Sequence, residues 1–392
     1  MFQSLLNLKY SWQQSSKDDI NNKELVDATI SILGFSLKNL PFDKKKELIQ
    51  QVYSRTIWFT YRKNFPQILN SQQTSDVGWG CMLRSGQMIW AQILRVHIRQ
   101  KKQQSKDYQY KLLCAFSDDD DDEYKKLFTN DLKLCLSPYS IQKIEAISQI
   151  KFSAKPCQWY RPDQILNALS LLHQQKPLQG SEDLETSISD NLFYDRLFCD
   201  MYGLKMDCEH IINEIKKDKT KEISKICNIC KKKQPKSLAI FFLTRIGLEE
   251  INKDYIPFLN DLIDLPWFQG IIGGKEDKAY YILGRVNKKL IYLDPHYIQE
   301  HTSRGNVVML KDSFFCKDVK YLNEEQMSPS LALGFYCQNQ MELDNFFNSV
   351  EQIKKNYNTD KTFGYIDRIT PNTFIIGIDE NDYLIIKNEI YE

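Results

Sequence analysis

The chain has 392 residues, 26% charged, 42% hydrophobic and 12% aromatic, a balance that suits a globular protein with a sizeable core. Its 52 lysines and arginines offset 51 aspartates and glutamates, so a net charge of +1 supplies no field to draw nucleic acid or an anionic membrane. Ten cysteines in a chain this long argue for free thiols in a reducing compartment; with no leader-like start and no 18-residue apolar run, a cytoplasmic protein is expected.

Residues 1–24 read as a tail, and helical signals then dominate the first half. Asp43 is placed to cap a helix in which Leu48, Ile49, Val52 and Tyr53 recur at helical spacing. Gly78 and Gly80 allow a tight backbone path into a second helix opened by Cys81, with Met82, Gly86, Ile89, Ile93 and Val96 on one face. The acidic run from Asp118 to Asp122 reads as a solvated loop tip, since a calcium loop needs a turn-forming glycine among its carboxylates. Pro162 suits the first turn of a helix carrying Ile165, Leu169 and Leu172.

A Lys-rich stretch from Lys216 to Lys236 is expected to project from the body, its basic run Lys231 to Lys233 solvated. Cys208, His210, Cys227 and Cys230 formally offer four zinc ligands, but their spacing is irregular and ordinary thiols are the expectation. Strand signals dominate later, in Leu238 to Leu243, Tyr280 to Val286, Leu290 to Leu293, Leu331 to Cys337 and Thr373 to Ile378, with a hairpin turn at Asn287 to Lys289. A helix-rich half against an antiparallel sheet predicts an α+β fold.

Signatures of zincins, P-loop ATPases, GxSxG hydrolases and dinucleotide binders are absent. Cys81 stands out instead, because unpaired N–H groups and the macrodipole at a helix start stabilise a thiolate and can receive an oxyanion. Of five histidines, His296 lies just after an apolar strand with Asp294 two residues before it, where an extended backbone points both side chains the same way. Asp294 can then orient the imidazole while His296 activates the thiol, a Cys-His-Asp arrangement; taken singly, each of these residues reads as well as plain structure.

Phe59 to Pro66, Thr74 to Met88, Gln158 to Tyr160, Gly273 to Lys275 and Leu290 to His296 resemble, in order, the autophagins, cysteine endopeptidases that process ubiquitin-like autophagy modifiers. The resemblance runs over roughly residues 25–355. It implies a papain-like catalytic domain there, with a small inserted subdomain near 176–236 and a tail at 356–392. It also implies cleavage after the modifier's C-terminal glycine, release of the modifier from phosphatidylethanolamine, and transient contact with autophagic membranes through that lipidated substrate, with no cofactor. Cys81 is then nucleophile, His296 base and Asp294 its orienter, and the Tyr61 hydroxyl assists the Cys81 N–H with the oxyanion. Trp159 and the loop Arg245, Ile246, Gly247 and Leu248 cover a narrow channel. Another papain-like deubiquitinase or acyl transferase, or a relative that binds the modifier without cutting it, remains the alternative.

Two positions depart from that family pattern. Arg161 stands where glycine is usual, a poorer helix N-cap at a cost of about 1 kcal/mol. Tyr280 replaces a common histidine and is expected near the substrate rather than the triad. In the tail, Tyr383 and Ile386 follow acidic residues and resemble a modifier-docking motif, while a β-hairpin with Thr373 to Ile378 fits the same segment.

Overall fold

The computed structural model describes residues 25, 28–37, 40–101, 107–118, 137–203, 234–275, 278–303, 305–357 and 366–367. In chain order these form β1 (Ile30–Ile32), β2 (Phe35–Ser36), α1 (Phe42–Arg55), β3 (Tyr61–Lys63), α2 (Cys81–Gln100), α3 (Tyr108–Cys114), α4 (Ile141–Phe152) and α5 (Pro162–Gln175). There follow β4 (Leu184–Ser189), β5 (Leu192–Phe193), α6 (Tyr194–Met201), β6 (Ser237–Arg245), α7 (Ile256–Ile263), β7 (Phe268–Lys275), β8 (Lys278–Val286), β9 (Lys289–Leu293), β10 (Ile298–Glu300), β11 (Lys320–Asn323), β12 (Ser330–Cys337), α8 (Gln340–Tyr357) and β13 (Ile366–Asp367).

A nine-stranded sheet runs β11-β9-β8-β7-β12-β6-β4, with β1 on β8 and β2 on β1. Its pairings are antiparallel except at one edge, where β4 lies parallel to β6, so the expected antiparallel sheet is in fact mixed. Successive residues point to opposite faces, and this alternation divides the core. Ala239, Phe241, Ile272, Tyr281, Leu283 and Ala332 pack with Ile89, Trp90 and Ile93 of α2. Their neighbours Ile240, Phe242, Ile271, Ile282, Leu331 and Leu333 pack with Phe258 and Leu259 of α7 and Phe346 and Phe347 of α8. Coverage of both faces explains why the central strands read as unbroken apolar runs. The α2 helix is buried continuously from Cys81 to Leu94, as befits a helix between a sheet and other helices.

The expected helices at Cys81 and Pro162 begin at those residues. Asp43 does not cap α1: the N-cap is Pro41, and Asp43 sits in the first turn, where its charge still favours the helix dipole. The four expected strands between Leu238 and Cys337 all form, each within one or two residues of its expected ends. The hairpin turn is shorter than expected, because Lys289 already pairs with Val286 and leaves Asn287 and Lys288 as the loop. Asn287 adopts the positive φ of 50° that such a turn requires. Thr373 to Ile378, Tyr383 and Ile386 lie outside the described residues, as do Cys208, His210, Cys227 and Cys230.

Candidate active site

The start of α2 is set by a buried carboxylate. Asp76 accepts the backbone N–H of Arg62 at 2.6 Å and Nε of Arg84 at 2.8 Å, while its own carbonyl accepts the Gly80 N–H at 2.9 Å. Gly78 turns the chain with φ at +90°. Gly80 is required for space rather than dihedral freedom, since a Cβ there would lie 2.5 Å from the Asp76 carboxylate. The chain therefore reaches Cys81 with its first helical turn facing inward, and the cysteine is fully buried.

The other half of the site comes from the end of β9. Beyond Leu293 four residues lead into β10, which pairs in parallel with β3 and sets Ile298 beside Tyr61. The Tyr61 N–H also donates to the Pro295 carbonyl at 2.9 Å, so the strand carrying Tyr61 is fastened to the segment carrying His296. Within that segment Asp294 Oδ1 accepts both His296 Nδ1, at 2.6 Å, and the His296 backbone N–H, at 3.0 Å. Because Nδ1 is committed to the carboxylate, Nε2 is the ring nitrogen left for the sulfur. Cys81 stands close enough to the imidazole to interact with it electrostatically.

Burial by itself disfavours an imidazolium at His296, but hydrogen bonds and charge from Asp294 and Cys81 outweigh it and lift the pKa to about 9. Burial pushes Asp294 the other way, and the His296 and Lys320 interactions overcome it, holding the carboxyl well below the usual carboxylate range. The constellation is an imidazole kept protonated near neutrality between a carboxylate and a cysteine sulfur, suited to protonating a departing amine.

Two tyrosines flank the ring edge-on, Tyr61 at 5.4 Å and Tyr280 at 5.5 Å between centroids. Tyr280 therefore packs directly on His296, which corrects the expectation that it stands away from the triad; its place on β8 beside β9 brings it there. Three further contacts had no local sequence signal. Trp58 Nε1 donates to the Asp294 carbonyl at 2.7 Å, and Lys320 Nζ donates to Asp294 Oδ2 at 2.9 Å and to the Tyr297 hydroxyl at 2.6 Å.

Trp159 sits in the loop between α4 and α5 and is 42% exposed. That loop is tied down by the Cys157 N–H, which donates to Glu145 Oε2 at 3.0 Å. At Arg161 no side chain caps the helix in the usual way; Gln164 Oε1 accepts the Arg161 N–H at 3.0 Å and Asp163 grips the guanidinium at 3.0 and 2.9 Å. Across from it Arg245 ends β6 and folds back onto the carbonyls of Gly247 and Leu248 at 3.2 and 2.6 Å. Gly247 has φ at +144°, and a Cβ there would strike the Glu250 carbonyl. Ile246 is buried in the core, so Leu248, 83% exposed, is the apolar residue this loop presents. Arg161, Asp163, Arg196, Arg245 and Leu331 line a cavity of about 510 Å³ whose walls do not include Cys81 or His296.

Among the described residues no group of His, Cys, Asp and Glu is arranged to hold a metal ion, and no helix is long and apolar enough to cross a membrane. The family profile of the peptidase C54 catalytic domain matches residues 45–349. Cysteine protease ATG4B of Xenopus laevis is 30% identical over 340 residues, covering 83% of this chain and 80% of that protein. Cysteine protease ATG4A of Homo sapiens is 28% identical over 342 residues, 83% of this chain and 79% of its own. Cysteine protease ATG4C of Xenopus laevis is 26% identical over 410 residues, 89% and 84%. With a family match over most of its length and an α+β fold built around Cys81, the chain belongs to the peptidase C54 family, the autophagins, and is a cysteine protease.

Proposed function

We propose that the protein cleaves the precursor of a ubiquitin-like autophagy modifier after its C-terminal glycine and also releases that modifier from phosphatidylethanolamine at autophagic membranes. The observation that carries this reading is the buried Cys81 at a helix start, in electrostatic contact with a His296 that Asp294 holds at 2.6 Å. In this proposal the Cys81 sulfur attacks the glycine carbonyl, the Cys81 N–H and Tyr61 hydroxyl receive the oxyanion, and His296 protonates the leaving amine. Water activated by His296 then hydrolyses the thioester. Residues 25–355 form the catalytic domain, Trp159 and Leu248 border the channel for the glycine tail, and Tyr383 with Ile386 belongs to a second docking element.

Incubation with ubiquitin-like precursors that carry residues beyond a C-terminal glycine, read by intact mass, tests the reading. Removal of those residues by the native protein, abolished in Cys81→Ala with binding retained, is the expected result. Undiminished cleavage by Cys81→Ala, or processing of ubiquitin itself in preference to autophagy modifiers, overturns it.

A further inference from the structure

We infer that Lys320 is a positioning residue of the active site, holding the second oxygen of Asp294 so that the first stays aimed at His296. The inference rests on the proposed roles of Cys81, His296 and Asp294. Lys320 is the first residue of β11 and pairs with Tyr292, the next-to-last residue of β9 and two positions before Asp294. That register carries the lysine side chain across to the carboxylate, 26 positions away in sequence.

The two oxygens of Asp294 have divided duties. Oδ1 accepts both hydrogen bonds from His296, and Oδ2 accepts Nζ of Lys320 at 2.9 Å. The side chains of lysine and aspartate are only 11% and 12% exposed, so water competes weakly for either. The ammonium is itself fixed by the Tyr297 hydroxyl at 2.6 Å and lies 4.4 Å from the centroid of the same ring. Tyr297 in turn packs edge-on against Trp58, whose indole holds the Asp294 carbonyl. A carboxylate pinned at both oxygens and at its own carbonyl cannot swing about its side-chain bonds. Without Lys320 it can, and the His296 hydrogen bond loosens.

The other titratable groups around this pair are Tyr53, whose hydroxyl donates to the Tyr292 carbonyl at 3.0 Å, and Cys316, which interacts electrostatically with Lys320. Both are to be kept in every variant. The test compares the native protein, Lys320→Met, Lys320→Arg and Asp294→Ala. The first measurement needs no substrate: the rate at which iodoacetamide alkylates Cys81, followed by mass spectrometry across the pH range. In Lys320→Met, alkylation near neutral pH should slow by about tenfold and the alkaline limb associated with His296 should move to lower pH, as it does more fully in Asp294→Ala. Lys320→Arg, which keeps a cation that can grip a carboxylate, should recover most of the rate. With a precursor substrate, kcat should fall while KM stays within about twofold.

A Lys320→Met protein with native alkylation rate and limb, or one that only melts earlier, overturns the inference; so does a limb displaced to higher pH, which marks a mere loss of screening. Native behaviour in Asp294→Ala instead overturns the proposed triad itself. Failure to process any modifier precursor while alkylation behaves as expected overturns the proposed substrate and leaves the role of Lys320 standing.

Discussion

His296 carries its chemistry in the protonation state its neighbours impose. With the pKa lifted to about 9, the imidazolium is present throughout the neutral range and is lost only on the alkaline side. In the proposed reaction, loss of that proton removes the acid that the leaving amine needs. Single-turnover cleavage should therefore fall as pH rises through about 9, and Asp294→Asn should bring the fall to lower pH by weakening the interaction that raises the imidazole. A profile falling near 6.5, the ordinary value for histidine, would show that Asp294 does not govern the ring. Cys81, Asp294 and His296 stand out in the sequence as candidates because their signals are local, a cysteine after two glycines and two polar residues spaced two apart beyond a strand. Lys320 and Trp58 could not, being 26 and 236 positions from the aspartate they hold and brought there by strand register and packing. Tyr280 was visible in sequence but misplaced, because only the β8–β9 pairing reveals which residue stands over the ring.

Secondary-structure elements were readable wherever burial matched a simple period. The α1 and α5 helices show one apolar face, and the β6, β8, β9 and β12 strands are short apolar runs. The β3–β10 pair escaped notice because three-residue strands carry no pattern of their own, and this parallel pairing sets Tyr61 beside Ile298 from segments far apart in the sequence. The loop from α4 to α5 depends likewise on one distant group, Glu145. Burial pushes its carboxyl up to about 7, against opposing hydrogen bonds from Cys157 and Tyr160. A folded-state pKa above the ordinary 4.5 means the folded protein binds the proton more tightly, so this stabilisation is complete below about 4.5 and is lost as pH rises through about 7. The difference amounts to about 3 kcal/mol at most. Glu145→Gln, which keeps an acceptor for the Cys157 N–H without the charge, should be the more stable form at alkaline pH and should match the native protein at acid pH in urea titrations. An equal gap at both pH values would remove the titration of Glu145 as its cause.

Across the whole molecule, the helix of Cys81 and the strand system of His296 are joined by buried charges as well as by apolar packing. Arg84 on α2 binds Asp76 at 2.8 Å and Asp118 at 3.1 Å, all three side chains being at most 1% exposed. Asp118 donates its N–H to the Thr302 carbonyl, and Arg62 on β3 reaches the Glu300 carbonyl of β10 at 2.8 Å. Two guanidinium groups and two carboxylates thus leave the interior neutral while linking α2, β3 and the chain just beyond His296. Such a network is costly to bury and costlier to break, because the loss of one member strands its partners away from water. Arg84→Met should lower the free energy of unfolding by about 3–5 kcal/mol, a large part of the 5–15 typical of a domain. Adding Asp76→Asn and Asp118→Asn should restore part of that loss, since the stranded charges are then gone. Urea denaturation of the single and triple variants decides the matter. If Arg84→Met unfolds within about 1 kcal/mol of the native protein, apolar contacts alone hold the two halves together; if the triple variant is weaker than the single one, the hydrogen bonds rather than the charges are what the site depends on.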